Sequence, residues 1–183
     1  MAVRTVLRLG DPLLRRQACP VTAFGTPGLR ALVDDLRDTM AARDGAGLAA
    51  PQIAVPLQVV IFGITRNPRY PDAAPIAETV LINPLITPIG TERDGGWEGC
   101  LSVPGLRGLV PRWRRIHYRA HDLEGGVIER SVEGFHARVV QHECDHLDGV
   151  LFPDRLEDPR AFGFLEELHT SGQLPGADPA AES

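Results

Sequence analysis

Apolar and polar positions divide the chain into a few legible elements. Leu29, Leu32, Val33, Leu36 and Met40 recur at spacings of three and four, the stripe of a one-faced helix. Thr26-Pro27 supplies a capping hydroxyl and a proline for its first turn, so this helix is predicted to run to about Arg43 and stop before Gly45. Gln58–Ile64, apolar after its first residue, reads as a buried strand. Thr79–Ile82 is a second short strand, ended by Asn83-Pro84, with Leu85–Ile89 continuing into another. Arg112–His121 alternates loosely, Leu123–Gly126 has hairpin-turn composition, and Val127–Val132 is the return strand. A long helix opens at Gly134 and is closed by Gly149. Weaker signals predict a strand at Val3–Leu9, a turn of helix after Gly10-Asp11-Pro12, and an exposed loop over 66–77. They also predict a turn at Asp94-Gly95-Gly96 and a further helix over Asp158–Leu168.

Composition narrows the class. The chain has 183 residues, 43% hydrophobic and 23% charged, which suits one domain burying roughly 70% of its unfolded surface. No repeat or second domain is visible, so residues 1–170 are expected to form a single catalytic domain. The Gly-, Pro- and acid-rich residues 171–183 are expected to form a disordered tail. A net charge of -5 gives no reason to expect a nucleic-acid partner, although all 19 basic residues are arginine. No apolar run is long enough to predict a membrane span, and the first 25 residues lack a signal-peptide core, so a cytoplasmic location is expected. The three cysteines, Cys19, Cys100 and Cys144, do not make a disulfide framework.

The long helix carries the chemistry. Gln141-His142-Glu143-Cys144-Asp145-His146-Leu147-Asp148-Gly149 contains His-Glu-x-x-His. Residues four apart lie about 40° apart around a helix, so His142 and His146 share a face and can hold one metal ion. Glu143, about 100° round, is close enough to act on water at such an ion. A catalytic site needs a third ligand from elsewhere in the chain. His169 is the one later histidine, close to the tail. Cys100, among glycines in Glu98-Gly99-Cys100-Leu101-Ser102, would complete a Cys/His/His set. Cys144 is about 200° round from His142 and is expected to face away into packing. Gly45-Ala46-Gly47-Leu48-Ala49-Ala50-Pro51-Gln52 is a run of small residues that lets backbone approach a ligand closely.

These three stretches, in this order, resemble those of the bacterial-type peptide deformylases, and the likeness extends over residues 3 to 165. The resemblance implies an α+β fold, with mixed short β-sheets packed around the central helix that carries His-Glu-x-x-His. It implies hydrolytic removal of the N-formyl group from the formylmethionine of newly synthesised proteins, releasing formate. Cys100, His142 and His146 would be the metal ligands, Glu143 the general base and acid, and Gln52 with the backbone N–H of Leu101 the oxyanion donors. Fe2+ is the implied cofactor, with Zn2+, Ni2+ or Co2+ as other occupants. Nascent formylmethionyl chains, and the ribosome carrying them, are the implied partners, and neither nucleic acid nor membrane is expected.

The substrate pocket is less sharply marked. Phe135, Val139, His142 and His146 form one stripe, apolar at its start, so Phe135 and Val139 either receive an unbranched apolar side chain or simply face the core. Gly45 and Gly47 would form the backbone wall. Arg107 resembles a position near the family's substrate entrance, with an exposed arginine as the plainer reading. Trp97 is either a core residue or a cleft wall. Arg138 falls beside the apolar stripe, where related sequences often have an apolar residue. Asp145 could orient a partner, with Arg112 as a candidate, or merely sit in solvent. Two rival functions use the same residues differently: a peptidase acting on internal bonds, and a structural metal module. The first lacks a downstream third ligand, and the second lacks a fourth ligand and leaves Glu143 without a purpose.

Overall fold

A computed structural model describes residues 2–64 and 74–174 of the chain. Helix α1 is Pro27–Ala42, capped by the Thr26 hydroxyl, which accepts a hydrogen bond from Leu29 N at 3.2 Å. Such a cap contributes about 1 kcal/mol. The strands that follow are β1 (Gly47–Ala49), β2 (Val59–Ile64), β3 (Ile76–Pro88), β4 (Arg93–Cys100), β5 (Val103–Trp113), β6 (Arg115–His121) and β7 (Val127–Glu133). Helix α2, Gly134–Leu147, leads to a short strand β8 (Phe162–Phe164) and helix α3 (Leu165–Thr170). Two antiparallel sheets result, one in the order β1-β2-β3-β6-β7 and one in the order β4-β5-β8. The α+β expectation holds.

The larger sheet is a middle layer because β2 is apolar on both faces. Successive strand residues point to opposite sides. Val60 and Phe62 join Ala137 and Val140 of α2 in one core cluster. Val59 and Ile61 join Leu32, Val33, Leu36 and Met40 of α1 in the other. A third cluster, around Cys100, Val103, Val110 and Phe152, lies at the smaller sheet. β5 and β6 are separated by Arg114 alone, so the chain passes directly from one sheet to the other. Helix α2 packs on the larger sheet through Ala137 and Val140, also contacts β5, and reaches Glu98 and Cys100 at the end of β4 through His142 and His146.

Several local expectations are corrected. Asn83-Pro84 does not end a strand. β3 runs through it with a register shift, Asn83 adopts φ 52°, and its side-chain amide pairs with both Val21 N and Val21 O at 2.8 Å. Asn tolerates that left-handed conformation better than most residues. Asp94-Gly95-Gly96 is not a turn but part of β4, paired with Arg112, Pro111 and Val110. Val3–Leu9 forms no strand; Leu7 N donates to Gln52 O at 2.8 Å and Leu9 N to Ser102 O at 2.7 Å, which ties two motif segments to the amino-terminal stretch. The helix over Asp158–Leu168 is replaced by β8 and the short α3. Most of the predicted loop at 66–77, and all but the first four residues of the predicted tail, lie outside the described residues. No described helix is long and apolar enough to cross a membrane.

Candidate active site

α2 begins at Gly134, whose φ of 60° suits glycine, directly after β7. Within it His142, Glu143 and His146 are all buried. Cys100, at the end of β4, brings its Sγ to 3.4 Å from His146 Nε2, and the donor atoms of Cys100, His142 and His146 lie within 4.8 Å of one another. This is the sequence-predicted ligand set, assembled from one helix and one strand end. His142 Nδ1 is hydrogen-bonded to Glu98 Oε2 at 2.9 Å, leaving Nε2 for the cluster. His146 Nδ1 and Glu143 Oε2 are buried without hydrogen-bond partners. Cys144 is half-buried, packs against the core on the sheet side and is absent from the cluster; burial and the charges of Glu143, Asp145 and Asp148 push its thiol up.

The electrostatics follow from burial. Burial pushes the Glu143 carboxyl up to about 7; Glu98 adds to this, while His142 and Arg112 oppose it. Burial alone would raise Glu98 as well, but hydrogen bonds from His142 and Arg112 hold it well below the usual carboxylate range. Arg112 Nε and Nη2 grip the two Glu98 oxygens at 3.0 Å each, and Arg112 Nη1 reaches Asp145. Asp145 does not merely sit in solvent: it pairs with Arg112, one candidate from the sequence, and Arg155 completes the pairing on the outside at 2.7 Å. Burial disfavours a proton on His142, yet Cys100 and Glu98 raise it well above the usual imidazole range. Burial and the charge of His142 drive His146 well below that range.

Gln52 sits in a single-turn helix after β1. Its Oε1 accepts from Ala49 N at 2.8 Å, which orients the amide so that Nε2 faces Ser102 Oγ at 3.0 Å and Cys100 Sγ at 3.4 Å. A small cleft of about 40 Å³ opens among these groups, enough for a water-sized group. Gln52, Leu101, Glu143, Gly45, Gly47, Phe135 and Val139 all line it, together with Arg138. Arg107 does not, and it is not an exposed arginine either. It is buried, its guanidinium stacked on Gly99 so closely that a Cβ there would stand 2.8 Å from Arg107 Nε. Trp97 is half-buried in β4, opposite Leu109, and is not a cleft wall. Sequence reasoning did not assign roles to Glu98 and Ser102, which orient His142 and Gln52. Their signal was present, since both flank Cys100 in the second motif.

Gly47 shows how tightly β1 approaches the helix. A Cβ built on it would lie 2.6 Å from Glu143 Cδ and 2.8 Å from Cγ. Gly47→Ala should therefore push the carboxyl aside. Displacing a reacting group by about 1 Å can cost ~100-fold in rate. A fall of that order in kcat, with little change in melting temperature, is the expected result, and an unchanged kcat would show that the carboxyl need not sit where it does.

Comparison with known proteins fixes the family. The family model described as polypeptide deformylase matches residues 3–161. A peptide deformylase of Bordetella pertussis is 57% identical over 180 residues, covering 98% of this chain and 99% of its own. The chain belongs to the polypeptide deformylase family. A second deformylase, of Ralstonia nicotianae, is 60% identical over 166 residues, covering 91% of this chain and 94% of its own. Among solved structures, a Met-Ala-Ser-bound class I type b peptide deformylase from Acinetobacter baumannii matches with TM-score 0.82 and 41% identity, covering 85% of this chain and 99% of that one. As a deformylase the protein is a hydrolase that removes the N-formyl group from nascent peptides. The family is one of metalloenzymes, and the Cys/His/His cluster is a group that could hold an ion.

A donor set of this kind must lose protons to bind metal. Cys100 and Glu98 raise the His142 imidazole well above the usual range, so it must give up a proton to bind an ion, as must the Cys100 thiol. Affinity should thus fall at least tenfold for each unit the pH drops below that imidazole's pKa, and more steeply where the thiol is also protonated. Chelator competition across pH 5 to 8 measures this, and a flat profile would contradict it.

Proposed function

We propose that Cys100, His142 and His146 hold one divalent ion, that Glu143 is the general base and acid, and that Gln52 and the Leu101 N–H receive the developing oxyanion. The observation carrying this reading is the convergence of the Sγ and imidazole donors beside a buried, unpartnered Glu143 oxygen that lines a small cleft. The residues fit an ion: thiolate and imidazole are soft-to-borderline donors, and His142 has its second nitrogen fixed by a carboxylate, as ligating histidines usually do. Bound there, the ion supplies Lewis acidity that favours ionisation of water near neutral pH.

The rest is the work of this chain. Glu143, buried at the cleft beside the donor cluster, accepts the proton of the attacking water and returns it to the amine nitrogen as the carbon–nitrogen bond breaks. The products are formate and a free amino terminus. The Gln52 amide, held by Ala49 N, donates toward the formyl oxygen as that oxygen gains charge, and a well-placed donor of this kind contributes roughly 3–4 kcal/mol. Phe135 and Val139 lie at the cleft, which supports their receiving the apolar side chain of a formylmethionine, with Gly45 and Gly47 as the opposite wall. Fe2+ is the proposed native ion, the substrates are formylmethionyl chains emerging from the ribosome, and the site of action is the cytoplasm.

Formate release from a formyl-Met peptide by anaerobically purified protein, with metal analysis of the same sample, tests the reading. Release in proportion to bound iron, with no cleavage of an internally blocked peptide, is expected. Cleavage of internal bonds, or full turnover by protein stripped of metal, would overturn it.

A further inference from the structure

Arg138 places a cation in the stripe that otherwise runs Phe135, Val139, His142, and neither the ligand set nor the acid–base step uses it. Its guanidinium does not point into the cleft as a free charge. Nη2 donates to Asp94 O at 2.6 Å, and Nη1 donates to Val110 O at 2.7 Å and to Glu98 Oε1 at 2.7 Å, with Gly96 O at 3.4 Å. Gly96 and Val110 are register partners in β4 and β5, so the guanidinium is bound to both strands of one rung. The space it fills exists because β4 lacks a side chain there. A Cβ on Gly96 would stand 2.7 Å from Arg138 Cζ and 2.8 Å from Nε. Asp94, Gly96 and Glu98 alternate onto one face of β4, and the gap at Gly96 lets an arginine from α2 lie between its neighbours.

We propose that Arg138 is a positioning residue for His142: a guanidinium seated in the Gly96 gap that fixes the Glu98 carboxylate relative to the metal-binding helix. This rests on the reading of His142 as a ligand. Arg112, from β5, already grips Glu98 bidentately and ties it to the smaller sheet. Arg138 and His142 stand four apart on α2, and Glu98 bridges them, one oxygen to Arg138 Nη1 and the other to His142 Nδ1. Without Arg138 the carboxylate still follows the sheet, but the second tie to the helix is gone and the His142 ring can turn. A lysine cannot reproduce the contact, because the planar fork reaches Asp94 O, Val110 O and Glu98 together, whereas an ammonium is a single point.

The test uses the full chain, with Co2+ as the probe because its thiolate absorption reports binding at Cys100. Arg138→Met keeps the stem and removes the fork. It is expected to weaken Co2+ binding ~10–100-fold and to lower kcat per bound ion, with KM within about twofold of the parent. Arg138→Lys should recover part of the affinity. Gly96→Ala, which retains the arginine but fills its seat, should reproduce the loss. Parental affinity and parental kcat per bound ion in Arg138→Met, whatever its melting temperature, would overturn the proposal. If that variant does not fold, parental affinity in Gly96→Ala and Arg138→Lys does the same. His146→Ala is the control: if it binds Co2+ with the parental absorption, the ligand reading fails instead.

Discussion

Replacing Glu143 with alanine is expected to abolish most turnover while leaving the metal in place. Glu143 stands between the two histidines in sequence, yet its oxygens are not part of the donor cluster. Its carboxyl is buried, has one oxygen without a hydrogen-bond partner, and lines the cleft. A positioned proton-transfer group contributes about 10²–10⁴-fold, so kcat should fall by that factor. Metal content measured on the same preparation should remain near one ion per chain. Glu143→Gln separates charge from shape: it keeps the contact with Gly47 but cannot carry the proton, so it should be nearly as slow as the alanine variant. Persistent turnover in both would remove Glu143 from the mechanism.

Glu98→Gln should be the most damaging single change to stability. The Glu98 carboxylate is shared by Arg112, Arg138 and His142, and side-chain exposure is 3% for Glu98 and 5% for Arg112. Burial of two guanidinium groups against one carboxylate is tolerable only while that carboxylate is charged. Removing one partner of a buried pair typically costs about 3–5 kcal/mol, because the remaining charge is stranded. The same change removes the acceptor that fixes His142, and loss of such a contact typically costs ~10–100-fold in metal affinity. Denaturant unfolding of the metal-free protein measures the first effect and chelator competition the second. A variant as stable as the parent would mean that Asp145 alone compensates Arg112.

How far these features were legible depended on range. His142 and His146 could be placed together because helical periodicity is a local property, and Cys144 could be turned away by the same arithmetic. The stripe of α1 and its Thr26 cap were legible for the same reason. Cys100 and Gln52 were reachable through their motifs. Arg138 was visible as an anomaly but could not be explained, since its partners are carbonyls of β4 and β5, fixed by a strand register that sequence does not specify. That register also misled the reading of Asp94-Gly95-Gly96. Two glycines in succession usually mark a turn, but here one of them clears room for a guanidinium. Glu98 and Ser102 sat in plain view, and their roles emerged only once β4 was laid against α2 and Gln52. The predicted strand at Val3–Leu9 failed because an apolar pattern cannot tell a ladder from single backbone tethers.

The two motif segments that Leu7 and Leu9 tether lie 50 residues apart, as measured between Gln52 and Ser102, and Cys100 is 46 residues from His146. None of these pairs can form until distant parts of the chain have been brought together, and contacts of long sequence separation are the slow ones to close. The Cys100, His142 and His146 donors are therefore brought together only by the tertiary fold, not by any local segment. Their occupancy reports the finished native state, and an ion bound only by that state shifts the folding equilibrium by mass action.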